Sequence, residues 1–265
     1  MDKRTLLDRY ASDEEDRLPL AQFIDKASQC DRDGIPTSTA FLNPRQQTLA
    51  SSIAAQLGCE NVIFYGAYED AERRMAVFLP EWAEESDIEE YAPVSVLRLS
   101  WSAQSRASLS HRDFLGALMA AGLQRDAVGD ILVRELDCDL IVLESVARFV
   151  SESLVSVGRA SISITPVTPA DIILPEKKVR IIRDTVASLR LDAIVSTGFS
   201  MSREKARELI RTGHAVLNNL PCDKPDKIVG EGDTVSARGF GKFRVTSAGN
   251  VSKKGRIWVE VEKYE

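Results

Sequence analysis

Three arginines, Arg203, Arg207 and Arg211, recur at intervals of four residues. At about 100° per residue on a helix they fall within one arc of about 80°. A row of guanidiniums suits phosphate, because each donates through a rigid fork and stays charged at any working pH. Ala206, Leu209, Ile210 and Gly213 fill the neighbouring arc, so one side of this helix packs and the next presents the row. Glu204 and Glu208 lie beyond the arginines, and an i,i+4 salt-bridge network with them is the other use of the row. Because the row lies beside the apolar arc, its arginines are expected to be dispensable for folding. Ser202 supplies the N-cap.

The theme repeats on strands. In Lys242-Phe243-Arg244-Val245, alternation puts both cations on one face. Lys253, Lys254 and Arg256 add charge near a turn, and Ile257, Val259 and Val261 make a buried face. Trp258 stands opposite that face beside Arg256, where it either stacks on a base or covers the sheet.

Charge divides the chain. Residues 1–176 hold 16 Lys and Arg against 29 Asp and Glu, a net of −13, whereas residues 177–265 hold 18 against 11, a net of +7. A basic module on an acidic body fits a polyanion binder with an oriented face. Catalytic alternatives have little to draw on. Only His111 and His214 are available, and Cys30, Cys59, Cys138 and Cys222 show no zinc spacing, so reduced core thiols and no metal or cofactor are expected. There is no phosphate-binding loop, dinucleotide fingerprint or nucleophile elbow. No apolar run approaches the roughly 20 residues that span a bilayer, and Met1 to Asp16 lacks a signal-like apolar stretch, so a cytoplasmic protein is expected.

These groups must be held by an α+β chain in three parts. Residues 1–74 read as mostly helical, with Asn43-Pro44 opening a helix that Gly58 stops, and Val62 to Tyr65 as a strand. Residues 75–170 alternate strands (76–79, 94–99, 130–133, 139–143, 160–167) with helices (111–121, 146–157), an RNA-recognition-like, ferredoxin-like arrangement. Glu84 to Glu90 reads as a solvated acidic face, and Pro166, Pro169 and Pro175 mark a linker. Residues 177–265 give two short helices, the first ending near Val195, and then a glycine-rich, strand-rich tail.

At this point a resemblance becomes specific. Arg190-Leu191-Asp192-Ala193-Ile194, Ser202-Arg203-Glu204-Lys205-Ala206, Leu209-Ile210-Arg211-Thr212-Gly213, Val216-Leu217-Asn218 and Gly232-Asp233-Thr234-Val235 resemble, in order and spacing, the signatures of the alpha-L domain of ribosomal protein S-four type. Phe41-Leu42-Asn43-Pro44-Arg45-Gln46, Gly66-Ala67-Tyr68 with Ala71-Glu72-Arg73, Leu123-Gln124-Arg125 with Gly129-Asp130-Ile131, and Ser252-Lys253-Lys254-Gly255-Arg256 resemble the YlmH family over nearly the whole chain. The resemblance implies a non-catalytic protein that docks structured RNA, rRNA and/or tRNA, on the ribosome. It also implies rescue of stalled large subunits carrying peptidyl-tRNA, with a link to cell division. Carried over, the RNA face includes Ser202, Arg203, Arg207, Arg211, Asn218, Arg238, Lys242 and Lys254. His214 stands where the family has a lysine or arginine, and Phe240 interrupts an arginine–glycine run at Arg238-Gly239-Phe240-Gly241-Lys242.

Two other motifs compete. Arg190-Leu191-Asp192 opens the catalytic motif of one pseudouridine synthase group, but Val195-Ser196-Thr197-Gly198 misaligns with its continuation by one residue, and Asp192 reads more simply as a helix residue paired with a nearby cation. Arg238-Gly239-Phe240-Gly241 matches the start of an aromatic RNA-recognition strand motif, which fails at Lys242. The alternative from another class is an adaptor, in which the acidic N-terminal body recruits a protein partner and the basic module is a tether.

Overall fold

Local capping fixes the helices that cover the first sheet. The Asn43 carboxamide accepts from the Gln46 N–H at 2.9 Å, and the Asn43 N–H donates back to the Gln46 side chain at 3.0 Å. With Pro44 in the first turn and Gly58 left-handed at its end, α3 (Pro44–Leu57) is bounded as the sequence implies. The computed structural model describes every residue except 1, 12, 103–107, 177, 253, 254 and 265. The chain forms two compact units, residues 1–175 and 176–265.

In the first unit, α1 (Lys3–Tyr10), α2 (Glu14–Asp33) and α3 lie on a three-stranded antiparallel sheet in the order β1 (Thr37–Leu42), β3 (Arg74–Phe78), β2 (Val62–Tyr65). Phe78 meets Phe23 of α2 edge to face at 4.9 Å on the helix side. Met75, Val77 and Phe41 point the other way, into a core shared with Val96, Leu132 and Ile141. Those three belong to a second antiparallel sheet, ordered β5 (Val128–Val133), β6 (Asp137–Leu143), β4 (Val94–Ser100), β9 (Ser163–Val167). This is the expected ferredoxin-like order. α4 (Ile88–Tyr91) precedes it, and a two-stranded ribbon of β7 (Ser156–Val157) and β8 (Ala160–Ser161) is inserted before β9. Alternation sends Leu97, Leu99, Leu140 and Val142 to the opposite face, under α5 (His111–Ala120) and α6 (Glu144–Ser153), with Phe114, Leu118 and Val150. The unit is thus four layers, helix, sheet, sheet and helix.

Two expectations need correction. The boundary placed between residues 74 and 75 falls inside β3, whose two neighbours both come from the N-terminal segment. Alternating strand faces make one double layer there, so helical content alone misplaces the division. Likewise, the stretch expected as a linker is tied down. Pro166 pairs with Leu97 on the edge strand β9, where its missing N–H is tolerated. The buried Asp139 carboxylate takes Arg98 at 2.7 Å, Arg134 at 3.0 Å and the Ile173 N–H at 2.8 Å. Burial opposes its ionisation, but these donors outweigh burial and hold it at about 2.

Fragments of the family resemblance that are far apart in sequence meet at Asp130. Its carboxylate accepts from the Tyr68 hydroxyl at 2.7 Å and from the N–H groups of Glu72 and Arg73 at 2.7 and 3.0 Å. Arg73 in turn donates to the Val128 and Phe41 carbonyls at 2.9 and 3.0 Å. Burial, and then the nearby Arg125 guanidinium, lower Arg73 to about 10, so it remains a cation. These residues weld the first sheet to β5, which is a structural role.

The second unit is a six-stranded antiparallel sheet, ordered β10 (Val179–Val186), β15 (Ile257–Tyr264), β14 (Gly241–Val251), β13 (Thr234–Ala237), β11 (Ala215–Leu217), β12 (Leu220–Pro221). α7 (Leu191–Gly198) and α8 (Arg203–Arg211) pack on it through Leu191, Ile194, Ala206 and Ile210 against Val235, Phe243, Val245 and Val261. The first helix runs three residues past its expected end at Val195. Its last residue must be glycine, because a Cβ at Gly198 would lie 2.3 Å from the Phe243 ring. We expect Gly198→Ala to lower the unfolding midpoint of this unit, by about 1–3 kcal/mol of overpacking, and Phe243→Leu to relieve part of the loss in a thermal melt of the double variant.

Candidate RNA interface

The helical row is organised by a residue outside it. Asp192, in the first turn of α7, is 0% exposed and accepts from Arg203 at 2.8 Å, Arg207 at 2.7 Å and Arg190 at 3.3 Å. Helix geometry explains the convergence, since Arg203 and Arg207 are one turn apart on the side of α8 that faces α7. Burial works to raise the Asp192 carboxyl, but hydrogen bonds from Arg207, Arg203 and Arg190 outweigh it and hold the group at about 2. The reading of Asp192 as a helix residue paired with a cation is therefore correct, and it has three such partners.

This changes the account of the row. Arg203 and Arg207 pair with Asp192 and not with Glu204 or Glu208. They are not dispensable for folding, since reversing either charge would set a carboxylate against a buried one. Their side chains remain 44% and 46% exposed. Each guanidinium carries five donors and gives one to Asp192 in these contacts, so further donors remain for a second acceptor. Arg211 is exposed, with no ion pair among the described residues. Leu209 is half-buried where Ile210 is fully buried, so Ile210 is the main anchor of α8.

The remaining residues separate into groups. Ser202 caps α8, its hydroxyl accepting from the Lys205 N–H at 3.3 Å. Lys205 lies 5.5 Å over the Phe240 ring, which brings the β13–β14 turn carrying exposed Arg238 beside α8. Phe240 also packs on Phe199 at 5.7 Å, so the residue that interrupts the arginine–glycine run has an apolar role. Lys242 and Arg244 lie on the solvent side of β14 with Phe243 and Val245 buried, as alternation implies, and Lys242 lies 5.9 Å over Tyr264. His214 is exposed, with Nδ1 2.9 Å from the Thr212 hydroxyl. Asn218 is left-handed and clamps a turn: its amide donates to Asp233 at 2.8 Å and its oxygen accepts from the Thr234 N–H at 2.9 Å. Arg256 donates to the Thr185 hydroxyl at 2.9 Å and to the Thr185 carbonyl, pinning β10 to β15. Trp258 is 50% exposed beside it. Lys253 and Lys254 lie outside the described residues. Lys242 on β14 lies by the Tyr264 end of β15 and Arg256 precedes its Ile257 end, about 25 Å away, so the cations expected at this face do not form one spot. The compact part is Ser202, Arg203, Arg207 and Arg211 with Arg238, Arg190 and Lys205; the last two were not singled out for this face from sequence, because the contacts that place them are tertiary.

Both units have counterparts among known proteins. A family model described as "Putative RNA-binding domain in YlmH" matches residues 89–171, and the S4 domain model matches residues 189–235. The "Ribosome-associated protein quality control protein P2" of Bacillus subtilis is 37% identical over 227 residues, covering 85% of this chain and 86% of that protein. Small ribosomal subunit protein uS4 of Solibacter usitatus is 32% identical over 79 residues, 28% of this chain and 38% of that protein. The solved "Cell division protein ylmH from Streptococcus pneumoniae" superposes with a TM-score of 0.48 at 21% identity, over 61% of this chain and 96% of that one. Two helices set on an antiparallel sheet, with an exposed guanidinium cluster and the S4 match, define an RNA-binding protein of the S4-domain class. Identity across nearly the whole of the Bacillus protein places it further: the chain belongs to the YlmH family.

The Asp192 cluster sets a pH dependence. Its folded value lies below the ordinary 3.8, so the stabilisation is complete above about pH 4 and is lost as pH falls through about 2. We expect Asp192→Asn to cost about 2 kcal/mol at neutral pH, with the gap from wild type closing in urea titrations repeated towards pH 2.

Proposed function

We propose that this protein docks structured RNA on the ribosome through α8 and the adjoining β13–β14 turn, and acts in translation quality control without catalysis of its own. Its target is rRNA or peptidyl-tRNA on the large subunit, and its role is rescue of stalled complexes. The relative named as a ribosome-associated quality control protein supports this reading. The observation that carries it is the fixing of Arg203 and Arg207 by buried Asp192. Three guanidiniums around one carboxylate leave two net positive charges held in place before any ligand arrives. Phosphate then binds without the entropy loss of ordering free side chains, and counterion release adds a salt-dependent gain.

Asp192 is also the residue on which a pseudouridine synthase reading rests. A nucleophile needs a free carboxylate oxygen facing substrate, whereas both Asp192 oxygens are held by arginines at zero exposure. That geometry favours the non-catalytic reading. The middle domain offers no RNA-recognition platform on its sheet, because the face opposite its helices is covered by β1 and β3.

The test is cosedimentation of the full chain with large subunits across salt. Neutralising about four to six phosphates gives a slope of log K against log salt of roughly −3 to −5. Arg211→Glu combined with Arg238→Glu should keep the wild-type melting profile and lose most of the association. Arg207→Glu should instead unfold the C-terminal unit. A salt-independent association, or a folded double variant that cosediments like wild type, would show that this face does not carry the RNA.

A further inference from the structure

The first unit carries a groove of about 990 Å³ far in sequence from the RNA face. It lies where α2 and α3 both end: Cys30, Asp31 and Gly34 line it from one helix, Leu57, Gly58 and Cys59 from the other. The last carbonyls of a helix concentrate partial negative charge, and here two helices deliver it to one place. Four exposed carboxylates, Asp31, Glu60, Glu81 and Glu85, line the same groove, and no lysine or arginine among the described residues does. Between them lies apolar surface from Leu57, Ile63, Leu79 and Pro80.

Trp82 stands in the groove at 62% exposure. A tryptophan so exposed is normally free to reorient, but this one is fixed. Its indole N–H donates to the Gly34 carbonyl at 2.9 Å, and its ring meets Tyr91 edge to face at 6.0 Å. A rigid aromatic face bordered by carboxylates and helix C-termini is preorganised for a cation stacked on a ring with an aliphatic neighbour beside it. The same charges repel phosphate, so nucleic acid is the wrong ligand for this surface.

We propose that this groove binds a basic segment of a partner protein, with arginine or lysine side chains over Trp82 and against Glu81 and Glu85, and an apolar side chain on Leu57 and Ile63. The charge match identifies the occupant. The two units then have opposite preferences, the second for polyanions and the first for a polycationic peptide.

The test uses the full chain and a short fluorescent peptide of alternating arginine and leucine, with a glutamate-for-arginine version as counter-probe, read by anisotropy. Trp82→Ala and the pair Glu81→Lys, Glu85→Lys should each weaken the basic peptide at least about tenfold. Glu14→Lys with Glu15→Lys makes the same charge change at the far end of α2, about 25–30 Å away, and should change affinity less than about twofold. Melting profiles confirm that each variant is folded. Equal loss in the α2 control, unchanged affinity in both groove variants, or equal binding of the acidic peptide overturns the proposal. So does sedimentation showing a wild-type dimer that Glu81→Lys, Glu85→Lys dissociates, since the occupant would then be a second copy.

Discussion

One carboxylate with no access to water decides how the C-terminal unit is built. Asp192 is stable as an ion only because Arg190, Arg203 and Arg207 surround it, and those arginines take fixed positions only because Asp192 is there. The packing of α7 against α8, the direction of the guanidinium row and the retained charge all follow. Folding and ligand contact are thus coupled through the same side chains. A substitution in this cluster therefore changes both.

The first unit shows a different use of strand alternation. Both faces of β3 and of β4 are apolar, so each of the two sheets is covered on both sides, by helices outside and by the other sheet inside. A ferredoxin-like sheet whose open face is buried has lost the surface that RNA-recognition domains use. What it gains is a rigid body, welded at Asp130 and pinned at Asp139, which leaves its helix ends and loops as the surfaces open to partners.

How far the sequence was readable depended on the range of the interactions involved. Helix α3 and its two caps were legible because Asn43, Gln46 and Gly58 act within a few residues of one another. The two faces of β14 were legible for the same reason. The partner of the arginine row was not: Asp192 lies 11 and 15 residues before Arg203 and Arg207, whereas Glu204 and Glu208 satisfy a local rule that the fold does not use. Strand β10 was missed because it is an edge strand, mostly exposed, with none of the alternation that burial on one face imposes. Phe240 reads in the sequence as a lost charge, whereas its role is tertiary: it packs on Phe199 and lies under Lys205. The N-terminal boundary failed because a sheet built from strands on both sides of it leaves no mark in composition.

The pairing of β10 with β15 has an architectural consequence. Val179 lies opposite Tyr264, so the strand by which the chain enters the second unit and the strand that completes its sheet are neighbours at the same end. A module whose entry and exit stand side by side can be spliced into a loop or onto a terminus of another protein without stretching its sheet. The stretch that matches the S4 model, residues 189–235, lies inside the frame that these two strands close.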